Sequence, residues 1–143
     1  MERNVDITME LNVEEFLQML NNYYSKKLNK EVKFTENHSV KHQSYGYGIY
    51  DEYTEAVVDL KVSFVEESLV NGIKTKITTV LDQSDIEEAI RDFVSNTEYE
   101  FVSYKYLGGV RMAGYFRDEY EEAYFEGIKV NLKEKGMKRK LSI

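Results

Sequence analysis

The feature that most constrains the fold of this chain is that its sequence repeats itself in outline. Five segments of the first half return in the second half in the same order, at offsets that vary only from 67 to 73 positions. Segments 7–11, 13–15, 29–34, 51–56 and 60–62 return as 77–81, 86–88, 96–101, 118–123 and 128–130. Such ordered self-similarity is typical of an internal duplication. We therefore expect a single domain, 1–143, built from two repeats at about 4–67 and 72–134.

The first copy reads as a strand, a helix and two further strands. Apolar residues alternate with polar ones over 5–11 and again over 58–64, which predicts two half-buried strands. Asn12 is placed as a helix N-cap with a glutamate three residues later, and Asn29 is expected to end that helix. Residues 31–42 are expected to form an exposed, polar strand.

The second copy repeats this plan with one irregularity. Residues 73–81 predict a strand, and Ser84 is expected to cap the second helix with a glutamate three residues later. A strand over 98–107 is expected to break or turn at Gly108 and Gly109. In the last strand the apolar alternation slips by one residue at Gly127, which predicts a β-bulge.

Two strand–helix–strand–strand units predict an α+β fold with pseudo-two-fold symmetry, a mostly antiparallel sheet and two helices. Neither helix can bury its apolar stripe alone, and neither small sheet is stable alone, so the copies are expected to pack together. Two arrangements fit this pattern. Ferredoxin-like packing would place both helices on one face of a shared sheet. Alternatively, the copies could form a curved sheet or half-barrel around a central cleft.

The charge of the chain separates an acidic body from a basic end. The net charge is −7, and the last eleven residues carry +4, which leaves −11 for residues 1–132. An acidic body argues against direct nucleic-acid binding, because phosphate contacts need clustered Lys and Arg. The basic tail, 135–143, is expected to be a solubilising terminus.

The absence of cysteine excludes disulfides and thiolate metal sites, and it suits a reducing compartment. No apolar run approaches the ~20 residues that span a bilayer, and the first residues hold no apolar leader. We therefore expect a cytoplasmic protein with no membrane contact, as a monomer or a homodimer.

An acidic and aromatic motif is the best-kept element of the repeat. Asp-Glu-Tyr-x-Glu-Ala opens the last strand of each copy, and further aromatic residues cluster around it. Tyrosine rings give rigid contact area, and carboxylates complement Arg and Lys. The residues expected to bind a basic protein partner are Asp51, Glu52, Tyr53, Glu55, Asp118, Glu119, Tyr120 and Glu122. A solvated turn that enters a strand is the structural alternative.

The same composition suggests what such a binding protein would do. A small, proline-free chain rich in Lys, Glu, Asn and Tyr is typical of accessory proteins of phages or mobile elements. Within this class, we expect the chain to be an inhibitor of a host defence protein.

A cleft between the repeats is the alternative site. Clefts at such interfaces are natural ligand pockets, and Arg suits carboxylate and phosphate groups. A small anionic ligand would be bound or sequestered there by Tyr47, Tyr50, Arg111, Tyr115 and Arg117.

Catalysis is less favoured than binding. His38 and His42 would lie roughly 13 Å apart on one strand face at ~3.3 Å per residue, too far apart to share a metal. The glycine pairs match no phosphate-binding loop, and no nucleophile motif is present. We expect no cofactor and no metal. The remaining enzymatic alternative is a pair of carboxylates, Asp51 and Asp118, that acts with or without a divalent cation.

Overall fold

The structure, a computed structural model, describes residues 5–46 and 53–135, which form strands and helices. A short 3₁₀ turn, Phe116–Asp118, precedes the last strand. The other elements are β1 (Ile7–Leu11), α1 (Val13–Leu28), β2 (Thr35–Tyr45), β3 (Tyr53–Val70), β4 (Ile73–Val80), α2 (Gln83–Ser95), β5 (Tyr99–Ala113) and β6 (Tyr120–Glu134). The α+β class, with two helices and antiparallel strands, is confirmed. The order strand–helix–strand–strand occurs twice.

The described strands form two antiparallel sheets of three strands each, with the orders β1-β6-β5 and β2-β3-β4. The single shared sheet of the ferredoxin-like alternative is therefore wrong. Each sheet combines two strands of one half of the chain with the first strand of the other half. β1, β2 and β3 of the first half correspond to β4, β5 and β6 of the second half. When each strand is exchanged for its counterpart, the strand order of one sheet turns into the strand order of the other sheet. This equivalence agrees with a duplication, which itself stays a prediction.

The first helix begins and ends where the sequence predicted. Asn12 is its N-cap, and the Asn12 side chain accepts a 2.8 Å hydrogen bond from the backbone N–H of Glu15. The Glu15 carboxylate accepts one from the Asn12 N–H at 3.0 Å, which completes the capping box. Asn29 ends the helix in the left-handed conformation, with φ of 54°.

The N-cap of the second helix lies two residues before the predicted one. Asp82, not Ser84, is the N-cap, and it accepts a 2.9 Å hydrogen bond from the N–H of Asp85. Ser84 lies inside the first turn, where its hydroxyl donates to the Asp82 carboxylate at 2.8 Å. Asp82 rather than Ser84 is the cap because pairing with β3 continues up to the residue before Asp82. The N–H of that residue, Leu81, still donates to the carbonyl of Val62.

Strand β5 continues through the two glycines that were expected to break it. Leu107 lies opposite Gly127, but Gly108 lies opposite Phe125, so Glu126 is the extra residue of a bulge in β6. The predicted bulge is thereby confirmed, and the predicted break is wrong. The two strands stay paired because Gly108 adopts φ of 148°, where a Cβ would lie 2.2 Å from a carbonyl oxygen of β6.

Both sheets and both helices contribute to one buried cluster. A T-shaped contact joins Phe34 to Phe64 with ring centroids 4.9 Å apart, and the Tyr24 hydroxyl of α1 donates to the Asp85 carbonyl of α2 at 2.8 Å. The residues of this cluster with no exposed surface are Phe16, Leu20, Ala89, Ile90, Ile128 and Val130. The halves of the chain therefore share their core.

The start of the basic tail is tied to the body. The Lys135 ammonium donates to the carbonyls of Ser95 and Thr97, at 3.0 and 2.8 Å, at the C-terminal end of α2. A cation there also suits the helix dipole. The rest of the predicted tail lies outside the described residues. Of the helices described, neither has the length and apolar character that crossing a membrane requires.

Candidate functional site

The turn between β5 and β6 presents aromatic side chains to solvent. We call residues 114–120 the β5–β6 tip. Within it Tyr115 is 83% exposed, Phe116 is 93% exposed and Tyr120 is 57% exposed, and Met112 beside it is 62% exposed. Single exposed apolar residues are ordinary, but several around one turn are typical of interaction sites. Met112 pairs with Glu121 and Tyr120 with Ala113, so Met112 and Tyr120 lie on opposite faces of the β5–β6 hairpin.

The backbone of the tip holds these rings outward. The N–H of Asp118 donates to the carbonyl of Tyr115 at 3.0 Å and closes the turn. Gly114 has φ of 95°, and a Cβ on it would lie 2.3 Å from the Asp118 carbonyl oxygen, so the turn can close this tightly only at a glycine. Phe116 itself has φ of 54°, a conformation that is unfavourable for a bulky side chain.

The acidic residues of the second motif divide into two groups. Glu122 lies opposite Arg111 in the β5–β6 ladder, and their Nε–Oε2 distance is 3.4 Å. Glu121 contacts the Nε2 atom of His42 at 3.0 Å. Asp118 and Glu119, in contrast, lie in the tip with exposed side chains. These two carboxylates therefore lie directly beside the exposed rings.

The first copy of the motif is described only in part. Asp51 and Glu52 lie outside the described residues, as do Tyr47 and Tyr50, which belong to the predicted ligand set. Tyr53 begins β3 opposite Tyr45, and Glu55 is exposed on β3 opposite Gln43.

The C-terminal end of β2 and the N-terminal end of β6 lie close together. His42 lies three residues before the end of β2, and Glu121 is the second residue of β6, so their contact places the hairpin ends side by side. The end of β2 therefore lies beside the start of β6, which carries the second motif.

A cleft of about 310 Å³ lies between the two sheets. We call it the inter-sheet cleft. Its walls are apolar side chains of β3 on one side and tyrosine, phenylalanine and glycine residues of the β5–β6 hairpin on the other. The lining residues are Ala56, Val57, Val58, Leu60, Tyr106, Leu107, Gly108, Gly109, Val110, Tyr124 and Phe125. This volume is at the lower end of the range of small-molecule sites.

Of the predicted ligand residues that the structure describes, none lies in the walls of this cleft and Arg111 lies at its border. The Arg111 guanidinium is 5.2 Å from the ring centroid of Tyr124, a lining residue, so it borders the cleft. Tyr115 and Arg117 lie in the β5–β6 tip instead.

Sequence reasoning missed the β3 wall of the cleft. Ala56, Val57 and Val58 are three apolar residues in succession within an otherwise alternating strand, a signal that both strand faces are covered.

The aromatic wall of the cleft continues as a chain of edge-to-face rings. Tyr106 contacts Phe125 at 5.9 Å and Tyr104 at 5.7 Å between ring centroids. Burial raises the pKa of Tyr104 far above its usual value, and its hydrogen bond to Tyr106 raises it further. Burial also raises the pKa of Tyr106. Both phenols are thus neutral at physiological pH and can serve as hydrogen-bond groups beside an apolar space.

The histidines engage separate carboxylates. The Nδ1 atom of His38 lies 2.9 Å from the Glu36 carboxylate, whereas His42 contacts Glu121. Within residues 5–46 and 53–135, no group of three His, Asp or Glu side chains has a metal-binding arrangement.

Comparison with known proteins gives no further assignment. No protein-family model matches the sequence. No curated protein and no solved structure matches the chain either.

Proposed function

We propose that this chain is a non-enzymatic binding protein that engages a basic protein partner through the β5–β6 tip. The observation that carries this proposal is Phe116, which is 93% exposed and has a left-handed backbone. Both properties are unfavourable in the free molecule, since an apolar ring faces water and the backbone is strained. Insertion of the ring into a partner's pocket would remove the ring from water. The strained backbone would then serve to present the ring to the partner.

The surroundings of Phe116 define the chemistry of the partner. Tyr115 and Tyr120 add amphipathic contact area, and Asp118 and Glu119 add negative charge. A complementary surface has an apolar pocket with Arg or Lys at its rim. The acidic body, −11 over residues 1–132, would also accelerate the encounter with a basic partner at low salt.

The proposed surface extends beyond the tip. Asp51, Glu52, Tyr53 and Glu55 would join it, because His42 and Glu121 hold the two hairpin ends together. Occupying a basic surface blocks it, which is how an inhibitor of a host defence protein would act. The cytoplasm is the proposed compartment, on the ground of the cysteine-free sequence.

The experiment compares wild type with Phe116→Gly. Glycine removes the ring and relieves the left-handed strain, so this variant should be more stable than wild type by about 1 kcal/mol. It should also lose affinity for the partner by at least about 30-fold, as expected when a central aromatic anchor is removed.

Partners would be captured with tagged protein from a lysate of the organism that carries the gene, then purified for calorimetry. Phe93→Ala, a change at a 39% exposed ring on α2, is the matched control and should keep full affinity. Asp118→Lys with Glu119→Lys should weaken binding, whereas Glu98→Lys, at the other end of β5, should not. If every captured protein binds Phe116→Gly as tightly as wild type, the tip is not the contact surface.

The inter-sheet cleft favours a second candidate function, the binding of a small ligand. Its apolar and aromatic walls fit a planar ring, and Arg111 at its border suits an anionic substituent. A panel of planar aromatic acids at about 1 mM should then include compounds that raise the melting temperature of wild type. The same compounds should have no effect on Val57→Trp, in which the cleft is filled. A panel with no active compound would refute this candidate.

A further inference from the structure

The β3–β4 hairpin extends beyond the core as a two-stranded ribbon. Asn71 and Gly72 connect its strands with φ of 53° and 80°, a two-residue turn of the kind that suits a twisted hairpin. Past Phe64, which is buried, most side chains of both strands are exposed. Exposed apolar residues lie on both of its faces: Val65, Leu69, Val70, Ile73 and Ile77. Because two strands alone are at best marginally stable in water, a partner strand would stabilise this ribbon.

The outer edge of β4 is available for that partner. Among the described strands, β4 pairs only with β3. The N–H of Leu81 donates to the Val62 carbonyl at 2.9 Å, so the odd-numbered residues that precede it in β4 also direct their backbone groups towards β3. The even-numbered residues therefore present their N–H and C=O groups outward. These residues are Lys74, Lys76, Thr78 and Val80.

We propose that β4 pairs antiparallel with β4 of a second copy of this chain, about a two-fold axis that passes through Ile77. Lys76 then lies opposite Thr78 of the second copy, and Lys74 lies opposite Val80, with each pair exchanging two backbone hydrogen bonds. The β3–β4 ribbons of the two copies then join into one four-stranded sheet.

The lysines select this register. An axis through Lys76 would place two Lys76 side chains opposite each other, and an axis through Thr75 would oppose Lys74 to Lys76. Like charges in direct opposition destabilise a sheet. Moving the axis beyond Ile77 shortens the overlap. The axis through Ile77 thus gives the longest pairing without a lysine pair.

The side chains of the edge also suit a second copy. Within one chain, Glu67 lies opposite Lys76 and 3.8 Å from the Lys74 ammonium. The lysines of β4 therefore have a carboxylate of their own chain beside them. The two Ile77 side chains meet across the axis, and each is 49% exposed in the single chain. A partner strand would therefore need to supply apolar surface, which β4 itself does.

The interface is a single strand edge, so we expect weak association. Sedimentation equilibrium of the full chain should show a dimer that becomes the main species between roughly 10 and 200 µM, in the affinity range of small transient interfaces. Thr78→Pro should abolish the dimer, because it removes an outward N–H without removing a bond to β3. A wild-type chain that stays monomeric throughout this range would overturn the proposal. This holds even if the strand of a different protein pairs with the edge of β4.

The register has its own test, because the chain has no native cysteine. In Ile77→Cys, the two introduced thiols face each other with Cβ atoms about 4.5–5.5 Å apart, close enough for a disulfide after a small adjustment. In Thr75→Cys, the matching thiols are separated by about four residues along the strands, roughly 13 Å.

Oxidation should therefore cross-link Ile77→Cys at least tenfold faster than Thr75→Cys. A mixture of Thr75→Cys with Thr79→Cys should cross-link between the two variants, because these positions lie opposite each other. Equal rates for Ile77→Cys and Thr75→Cys would refute the register.

Discussion

Replacing Gly127 by alanine should destabilise the protein far more than one methyl group suggests. Gly127 follows the bulge in β6 with φ of 130°, and a Cβ on it would lie 2.0 Å from the carbonyl oxygen of Leu11. The same Cβ would lie 2.9 Å from the Cα of Asn12, the N-cap of α1. These are backbone atoms of the β1–α1 junction, and Leu11 is paired with Ile128. The contact cannot be relieved by the rotation of a side chain.

The magnitude follows from two contributions. A left-handed φ at a non-glycine residue costs about 1–3 kcal/mol. Pushing the β1–α1 junction away from β6 by about 1 Å is an overpacking cost of a further 1–3 kcal/mol. We therefore expect Gly127→Ala to lower the free energy of unfolding by about 4 kcal/mol. With an unfolding entropy of about 2.1 cal/mol/K per residue, 143 residues give a fall in melting temperature of about 13 °C.

Gly72→Ala is the matched control, and calorimetry of both variants is the assay. Gly72 has φ of 80°, but a Cβ on it would meet no atom within 4 Å. Only the backbone cost of about 1–2 kcal/mol remains, partly offset by the lower entropy of the unfolded chain. A loss of about 1 kcal/mol, or about 3 °C, is expected. Equal melting temperatures for the two variants would refute the argument that close approach of β1, rather than φ alone, requires Gly127.

Three further perturbations test the helix ends and the buried tyrosines. Asn12→Ala removes the N-cap of α1 and should lower the free energy of unfolding, measured in urea, by about 1 kcal/mol. Asn12→Asp should lower it much less. The backbone N–H of Asp85 and the Ser84 hydroxyl lower the pKa of Asp82, so its stabilising effect is complete above the ordinary aspartate pKa of about 3.9 and is lost as pH falls through the lower, folded-state pKa. Asp82→Asn should flatten the acid side of the stability–pH profile measured by thermal unfolding, and an unchanged slope would contradict this. Burial raises the pKa of Tyr24 and Tyr104, so the stability that their neutral forms provide is present below about pH 10 and is lost above it. In an alkaline titration followed at 295 nm, Tyr104→Phe should remove one phenol from the step that coincides with unfolding, and loss from an earlier step would contradict it.

Local chemistry explains where sequence reasoning about the fold succeeded. Asn12 is followed by a glutamate in the correct position, and nothing nearby competes with it as a cap. The second helix offers two overlapping capping patterns, one at Asp82 and one at Ser84. The choice between them depends on where β4 stops pairing with β3, which is a tertiary property that the local sequence does not contain.

Strand pairing across the halves was beyond the sequence for the same reason. The pairing of β1 with β6 joins residues more than one hundred positions apart, and alternation predicts only that each strand has an apolar face. Two sheets and one shared sheet satisfy that requirement equally.

The candidate site was predictable in its composition but not in its geometry. The motif at Asp118 lies at the turn that the structure shows to carry exposed aromatic rings, and acidic and aromatic residues cluster there in the sequence. The orientation of Phe116 depends on the closed turn at Gly114, and the walls of the inter-sheet cleft depend on how β3 faces the β5–β6 hairpin. Both are outcomes of packing between distant segments.

The exchange of first strands between the two sheets has a consequence for how such a chain could arise and be divided. A half-length polypeptide would lack the edge strand that its own sheet needs, and would obtain it only by giving its own first strand to a second molecule. A half-length chain would therefore complete its sheet only as a strand-swapped homodimer. By the same logic, cleavage of the present chain between Asn71 and Gly72 should yield two fragments that are unfolded separately and regain structure when mixed.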